Sequence, residues 1–175
     1  MSWDFVTERD IPSLLQLTID TYKESEWSDT DWDIKKIERM LYRAINEPHQ
    51  FFIKTERGGK IIGYLLGHYQ DYFHNDKLFA TEDFIYVVPS KRGGAAALKM
   101  MRLFINWAKG IGVKEIYFEP SVNKKDITRF DSFAKKLGME AYCKHYRIKI
   151  SVDHRRHQCH LTLQLRRNTY VKHLK

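Results

Sequence analysis

Cysteine is scarce in this 175-residue sequence. Cys143 and Cys159 are the only two, so no disulfide framework is available, and a reducing, cytoplasmic setting is expected. The apolar runs are short and interrupted, which predicts neither a transmembrane helix nor a membrane partner. The first ten residues, MSWDFVTERD, lack the cationic start and the long apolar run of a signal peptide. No internal repeat and no low-complexity linker is present.

The positive charge of the chain is unevenly distributed. The net charge is +8, and residues 141–175 hold nine Lys and Arg against one acid, Asp153. A concentration of positive charge of this kind indicates which molecules a protein binds. We therefore expect residues 144–175 to contact an acidic protein or a nucleic acid, although no recognition motif accompanies them. No metal is expected, because the candidate ligands are spaced too tightly to surround one ion: His154, His157, Cys159 and His160.

The hydrophobic periodicity predicts one mixed α/β domain over residues 1–150 and a basic extension, a loop plus a final strand, over 151–175. The predicted order begins with a strand in WDFVT, a helix capped by Asp10 and a helix from Asp33 to Ile45. A hairpin of QFFIKT and IIGYLLGHYQ around ERGGK follows, and then a strand in FATEDFIYVV and a helix from Ala95 to Lys109. The last predicted elements are a strand in KEIYFEP, a helix from Asn123 to Leu137 ending at Gly138, and strands in EAYCKHYRIKI and CHLTLQLR.

The stretch YVVPSKRGGAAALKM, residues 86–100, joins a predicted strand to a predicted helix. Such a turn directs its N–H groups at one point, and the helix dipole favours an anion there. Lys91 and Arg92 add positive charge, and Gly93 and Gly94 allow the backbone to come close to a ligand. The turn therefore predicts an anion site.

This stretch also resembles the signature of the GNAT superfamily of N-acetyltransferases. Val87, Pro89 and Arg92 match its lead-in, and Ala97 matches its last position. VTERDIPSLLQL and RFDSFAKKLGME resemble the family's first and last conserved elements, so that the resemblance covers about residues 3–150. It implies a single domain with a central, mostly antiparallel, splayed sheet flanked by helices. The implied activity is transfer of an acetyl group from acetyl-CoA to a primary amine of a small molecule or protein.

The resemblance also implies the residues that bind acetyl-CoA. The pyrophosphate is expected on Lys91, Arg92, Gly93, Gly94, Ala95, Ala96 and Ala97, the pantetheine arm on the backbone of Tyr86, Val87 and Val88, and a further contact on Asn123 or Asp126. Ala95 stands where the family has glycine. We expect it to be helical, with the two preceding glycines taking the unusual dihedral angles; the alternative is that its methyl group blocks the site.

Catalysis requires a base for the amine and a donor for the oxyanion. Glu82 is the favoured base, Asp83 is the next candidate, and Tyr117 and Glu119 are secondary ones. Strict alternation would place Glu82 on the face of Phe84 and Tyr86, and Asp83 on the face of Ile85 and Val87. By the resemblance, the Val87 N–H is the oxyanion donor. Ala134 replaces the tyrosine that commonly protonates the thiolate, which leaves Tyr142 as the acid.

The acceptor amine is expected at YKESEWSDTDWD, residues 22–33, which joins the first two helices. Its acids and tryptophans suit a cationic amine through charge and cation–π contact: Trp27, Asp29, Asp31 and Trp32. The alternative is a solvated loop that caps the second helix. The runner-up function is a catalytically inactive GNAT-like binding or assembly module, virion- or complex-associated, that uses the basic extension. A homodimer is left open.

Overall fold

The structure is a computed structural model, and it describes residues 1–25, 28, 31–118 and 127–142. The chain divides into two compact units, Met1–Glu140 and Ala141–Lys175. In the second unit only Ala141 and Tyr142 are described, and both are exposed. The predicted strand EAYCKHYRIKI is described only at residues 140–142, which are not in a strand; its remainder, the last predicted strand and the basic extension lie outside the described residues.

The first unit alternates strands and helices in the predicted order. Its elements are β1 (Ser2–Phe5), α1 (Ile11–Glu24), α2 (Ile34–Asn46), β2 (Gln50–Arg57), β3 (Lys60–Tyr72), β4 (Asn75–Val87), α3 (Ala96–Ile111), β5 (Glu115–Tyr117) and α4 (Ile127–Lys136), with short 3-10 turns at Glu8–Asp10 and Pro89–Lys91. The five strands form one sheet in the order β1-β2-β3-β4-β5. The first three pairings are antiparallel and the last is parallel, so the mixed α/β prediction is confirmed.

Local sequence signals account for most of the boundaries. Asp10 and Asp33 precede α1 and α2 as N-caps, and the Asp33 side chain accepts a hydrogen bond from the Lys36 N–H. Gly58 and Gly59 both take positive φ angles in the β2–β3 turn, as a tight hairpin requires. Gly138 ends α4 with φ +76°, as predicted.

Strand β4 is longer than its apolar pattern predicts. It begins at Asn75 because pairing with β3 continues to the tip of the hairpin, where Tyr72 lies opposite Asn75. The hydrogen-bond ladder thus extends the strand through polar residues of low β propensity.

Apolar side chains cover both faces of the sheet. On one face α3 packs against β2, β3 and β4, with Met100, Met101 and Phe104 fully buried. On the other face α1 and α2 pack against the same strands around Leu14, Leu41 and Tyr64. The carboxyl end of β4 is therefore held between two helical layers.

Candidate active site at the end of strand β4

The last residues of β4 have an edge that no described strand covers. β5 pairs with β4 only at Phe79, Ala80 and Thr81. The Val88 N–H donates to the Ile62 carbonyl at 2.9 Å, so residue 88 turns its backbone toward β3. Because alternate residues of an antiparallel strand turn their polar groups to opposite sides, Val87 presents its N–H and C=O to the uncovered side. Of residues 86–88, which were predicted to bind the pantetheine arm, only Val87 directs its backbone polar groups toward the position of an added extended chain.

The turn after β4 presents backbone amides at the start of a long helix. Gly93 has φ +80°, whereas Gly94 has no positive φ. Ala95 is the N-cap of α3, with φ −79° and ψ −5°, an ordinary right-handed helical conformation. Residues 91–95 are exposed. The N–H groups of the first helical turn have no intrahelical partners, so this turn has the chemistry of an anion site.

The Arg92 side chain turns back from the helix onto the end of β4. Its Nε donates to the Val87 carbonyl at 2.7 Å, and its Nη1 lies 2.7 Å from Glu24 Oε2 at the end of α1. The guanidinium carbon lies 5.2 Å from the centre of the Tyr86 ring. The Tyr86 hydroxyl in turn donates to Glu24 Oε1 at 2.9 Å. Together Glu24, Tyr86 and Arg92 form a polar cluster that joins α1, β4 and the glycine turn.

Burial and charge act on the titration of this cluster. Burial and the contact with Glu24 raise the pKa of Tyr86 to about 12. Burial would raise the pKa of Glu24, but the hydrogen bonds from Arg92 and Tyr86 outweigh it and hold that pKa below its usual range. The cluster is therefore an ion pair with an attached neutral phenol at neutral pH.

A β-bulge places Asp83 differently from strict alternation. The pairing with β3 shifts between Leu66 and Gly67, which lie opposite Phe84 and Glu82, so Asp83 is the extra residue. Asp83 Oδ2 lies 2.9 Å from His68 Nδ1, and Asp83 lines the same cavity as Phe84. The prediction that Asp83 shares a face with Ile85 and Val87 is therefore wrong, because the bulge turns it toward α2.

Glu82 is the buried carboxylate of this region. It is 7% exposed, and its charge contributes to raising the pKa of the Tyr64 hydroxyl, which burial dominates. Glu82 and Asp83 thus occupy distinct environments at adjacent positions, the first buried and the second in contact with a histidine.

A cavity of about 360 Å³ opens between α2 and the bulge. Charged side chains on its wall form pairs, Arg43 with Glu47 and His68 with Asp83. Its full lining is Met40, Arg43, Ala44, Glu47, Gln50, Leu66, His68, Asp83 and Phe84. A small molecule that enters it would contact Asp83, the neighbour of Glu82.

The other predicted site residues make contacts with neighbouring side chains, are exposed, or lie outside the described residues. Tyr117 donates its hydroxyl to Glu115, and Tyr142 is 79% exposed. Trp32 stacks on Tyr22 with ring centres 4.0 Å apart, and Asp31 is exposed. Five further predictions fall outside the described residues: Trp27, Asp29, Glu119, Asn123 and Asp126.

Metal-binding groups and membrane-spanning helices are both absent from the described residues. Within residues 1–25, 28, 31–118 and 127–142, no three or more His, Cys, Asp or Glu side chains are grouped to hold a metal ion. Over the same ranges, no helix has the length and apolar character needed to cross a membrane.

Glu24 and His68 are the residues that sequence reasoning missed. Glu24 stands in the acidic stretch 20–33, but its partners Tyr86 and Arg92 are far away in the chain. The partner of His68 lies across a hairpin, at a position set by the bulge. The acidic stretch was a signal for Glu24; no local pattern pointed to His68.

The pair of His68 and Asp83 predicts a pH-dependent contribution to stability. The hydrogen bond that the imidazole donates to the Asp83 carboxylate raises the pKa of His68 above its ordinary value, against an opposing effect of burial. A raised histidine pKa stabilises the fold fully below the unfolded value of about 6.5, and this contribution is lost as pH rises through the folded value. Asp83→Asn should therefore cost about 1 kcal/mol in acid and much less in base. Urea unfolding at roughly pH 5.5 and pH 9 measures the difference.

The exposed Asp76→Asn serves as the control for that comparison, because Asp76 lies at the hairpin tip away from His68. An equal loss of stability for Asp83→Asn at both pH values would contradict a charged pair.

Comparison with known proteins assigns the family. The sequence matches the model of the Acetyltransferase (GNAT) family over residues 11–138. This match spans more than two thirds of the chain, and it includes β4, the glycine turn and α3. The chain therefore belongs to the GNAT family of acetyltransferases. No curated protein matches the sequence.

Solved structures agree on the fold at low sequence identity. An aminoglycoside 6'-N-acetyltransferase from Acinetobacter haemolyticus has a TM-score of 0.67 at 15% identity, over 87% of this chain and 100% of its own. A ribosomal-protein-alanine N-acetyltransferase from Brucella melitensis has a TM-score of 0.64 at 15% identity, over 85% and 98%. A structure described as a transcriptional regulator from Bacillus halodurans has a TM-score of 0.69 at 16% identity, over 85% and 99%. The shared property is the fold, which leaves the acceptor open.

Proposed function

We propose that this protein is an N-acetyltransferase that moves an acetyl group from acetyl-CoA to a primary amine of a small molecule or a protein. The observation that carries the proposal is the uncovered edge of Val87, which leads directly into an exposed glycine turn and the N-terminus of α3. The uncovered edge at Val87 suits an extended arm that contains amides, and the glycine turn at the start of α3 suits a pyrophosphate.

The residues at hand fit coenzyme A. A Cβ built at Gly93 would meet no atom within 4 Å, so the turn is accessible to a ligand. The amides of residues 93–97 are the proposed pyrophosphate donors, and Lys91 supplies nearby positive charge. The pantetheine arm would lie along β4 at Val87, next to the buried carboxylate Glu82. The co-substrate supplies the acetyl thioester. The protein binds the co-substrate and accepts the proton of the amine.

The proposed chemistry is direct attack of a neutral amine on the thioester carbon. As the C–N bond forms, the Val87 N–H donates to the carbonyl oxygen, which gains negative charge. Glu82 accepts the proton from the amine, directly or through one water. The C–S bond then breaks, and the thiolate departs as a good leaving group. Tyr142 is retained as the candidate acid, since nothing in the described residues tests that role.

Acceptor binding is proposed at the junction of α1 and α2. The stacked rings of Tyr22 and Trp32 and the exposed Asp31 offer an aromatic and acidic surface beside the end of β4. Such a surface suits an ammonium group. Trp27 and Asp29 remain candidates in the same segment.

The alternative is a GNAT-like binding module without catalysis. The observation that favours it is the bond from Arg92 to the Val87 carbonyl, because an added chain would need that acceptor. In this alternative the basic residues 144–175 form the contact with an acidic protein or nucleic acid, or with a second copy. Calorimetric titration with acetyl-CoA and desulfo-CoA, and then a panel of primary amines, separates the two. Failure to bind either coenzyme would reject the enzyme proposal.

Two substitutions at Ala95 test the pyrophosphate turn. Ala95→Gly keeps the N–H, and because Ala95 is an N-cap, glycine should cost no more than a few tenths of a kcal/mol. Coenzyme A affinity should stay within about twofold. Ala95→Pro removes the N–H at a φ angle that proline accepts. Since a hydrogen bond to a charged group contributes about 1.5–3 kcal/mol, affinity should fall by more than tenfold. Calorimetry with coenzyme A measures both.

The two variants are controls for each other, because they share a position and differ in the amide. Tighter binding by Ala95→Gly would show that the alanine methyl obstructs the ligand, as the non-catalytic alternative expects. Unchanged binding by Ala95→Pro would remove this amide from the site.

A further inference from the structure

The cluster of Glu24, Tyr86 and Arg92 lies where the two halves of the proposed site meet. Glu24 is the last residue of α1 and lies within the proposed acceptor segment, residues 22–33. Arg92 belongs to the turn proposed to hold the pyrophosphate. Glu24 and Arg92 are 40% and 46% exposed, so the pair is reachable by ligands but is in part desolvated by its surroundings.

The donors of Arg92 are directed at protein atoms. The Nε hydrogen is committed to the Val87 carbonyl and an Nη1 hydrogen to Glu24, while the guanidinium lies over the Tyr86 ring. This geometry uses the fork of a guanidinium, which holds two acceptors at fixed positions at once. One acceptor belongs to the residue proposed as oxyanion donor, and the other fixes the end of α1.

We infer that Arg92 is a positioning residue, paired with Glu24, that holds the end of α1 against the thioester end of β4 and does not serve mainly as a ligand of the pyrophosphate. The inference rests on the proposed function for what it positions. Removal of the pair should loosen the end of α1 and thus the start of the acceptor segment. Coenzyme binding depends chiefly on backbone amides farther along the turn, so it should change little.

The test is a double-mutant cycle with Glu24→Gln, Arg92→Gln and the double variant. Each single variant should raise the KM for the best acceptor by about fivefold, because a half-exposed charged contact is lost. The double variant should be no worse than either single one, because both remove the same contact. The Kd for desulfo-CoA, measured by calorimetry, should stay within about threefold in all three. Lys54→Gln, which loses a charged pair with Glu56 on β2 outside the proposed site, is the control.

Two outcomes would overturn the inference. If Arg92→Gln alone weakens desulfo-CoA binding by tenfold while Glu24→Gln does not, then Arg92 is a phosphate ligand. If the losses in the double variant are simply additive, the two residues do not act as a pair. Urea unfolding of the same four proteins reports the coupling without any ligand. A wild type that binds no coenzyme would therefore reject the proposed function while the pairing is still tested.

Discussion

Replacement of Glu82 by glutamine should lower kcat by about 10²–10⁴ with the best amine acceptor and leave the affinity for acetyl-CoA nearly unchanged. The reason is that glutamine keeps the size of the side chain but cannot accept the proton of the amine. Glu82 is buried at 7% exposure beside the β4 bulge. Release of free thiol from acetyl-CoA measures kcat, and calorimetry measures affinity.

Asp83→Asn is the matched comparison, because it removes the adjacent carboxylate. An unchanged pH–rate profile in Glu82→Gln would show that the base lies elsewhere, and Asp83 would be tested next. A loss of acetyl-CoA affinity equal to the loss of kcat would instead indicate a structural role for Glu82.

Phe104→Ala should destabilise the fold by about 3–5 kcal/mol, the largest effect expected of any single change in the core. The Phe104 ring has no exposed surface and contacts the rings of Phe51 and Trp107, with centres 5.6 Å away in both cases. A Cβ added at Gly67 would lie 2.8 Å from this ring, so the glycine lets α3 come close to β3. Urea unfolding monitored by circular dichroism measures the loss.

Phe73→Ala is the matched control, because Phe73 is fully exposed at the β3–β4 hairpin tip. Its stability should change by no more than about 0.5 kcal/mol. A loss below about 1 kcal/mol for Phe104→Ala would contradict the placement of α3 against the sheet.

The fold was predictable where short-range signals decide the structure. The caps Asp10 and Asp33, the Gly58–Gly59 turn and the apolar stripe of α3 are all readable within a few residues. The position of the glycine turn at the carboxyl end of β4 was predictable from the same signals. Ala95, unusual for the family, is helical as expected, but only Gly93 of the two preceding glycines takes a positive φ angle.

The contacts that organise the site were not predictable in the same way. Strict alternation misplaced Asp83, because a bulge depends on how β3 and β4 fit together and leaves no local sign. The hydrogen bond from Tyr86 to Glu24 joins residues separated by 62 positions. Such pairings arise from packing. The sequence therefore shows which residues can form contacts but not which of them pair with each other.

The contact between Glu24 and Arg92 also limits how the chain can vary in length. Each residue added within a helix rotates the remainder of that helix by about 100° and advances it by about 1.5 Å. One insertion in α1 would carry the Glu24 carboxylate away from the 2.7 Å contact with Arg92. Insertions and deletions that change the length of α1 would therefore break the contact that joins this helix to the glycine turn.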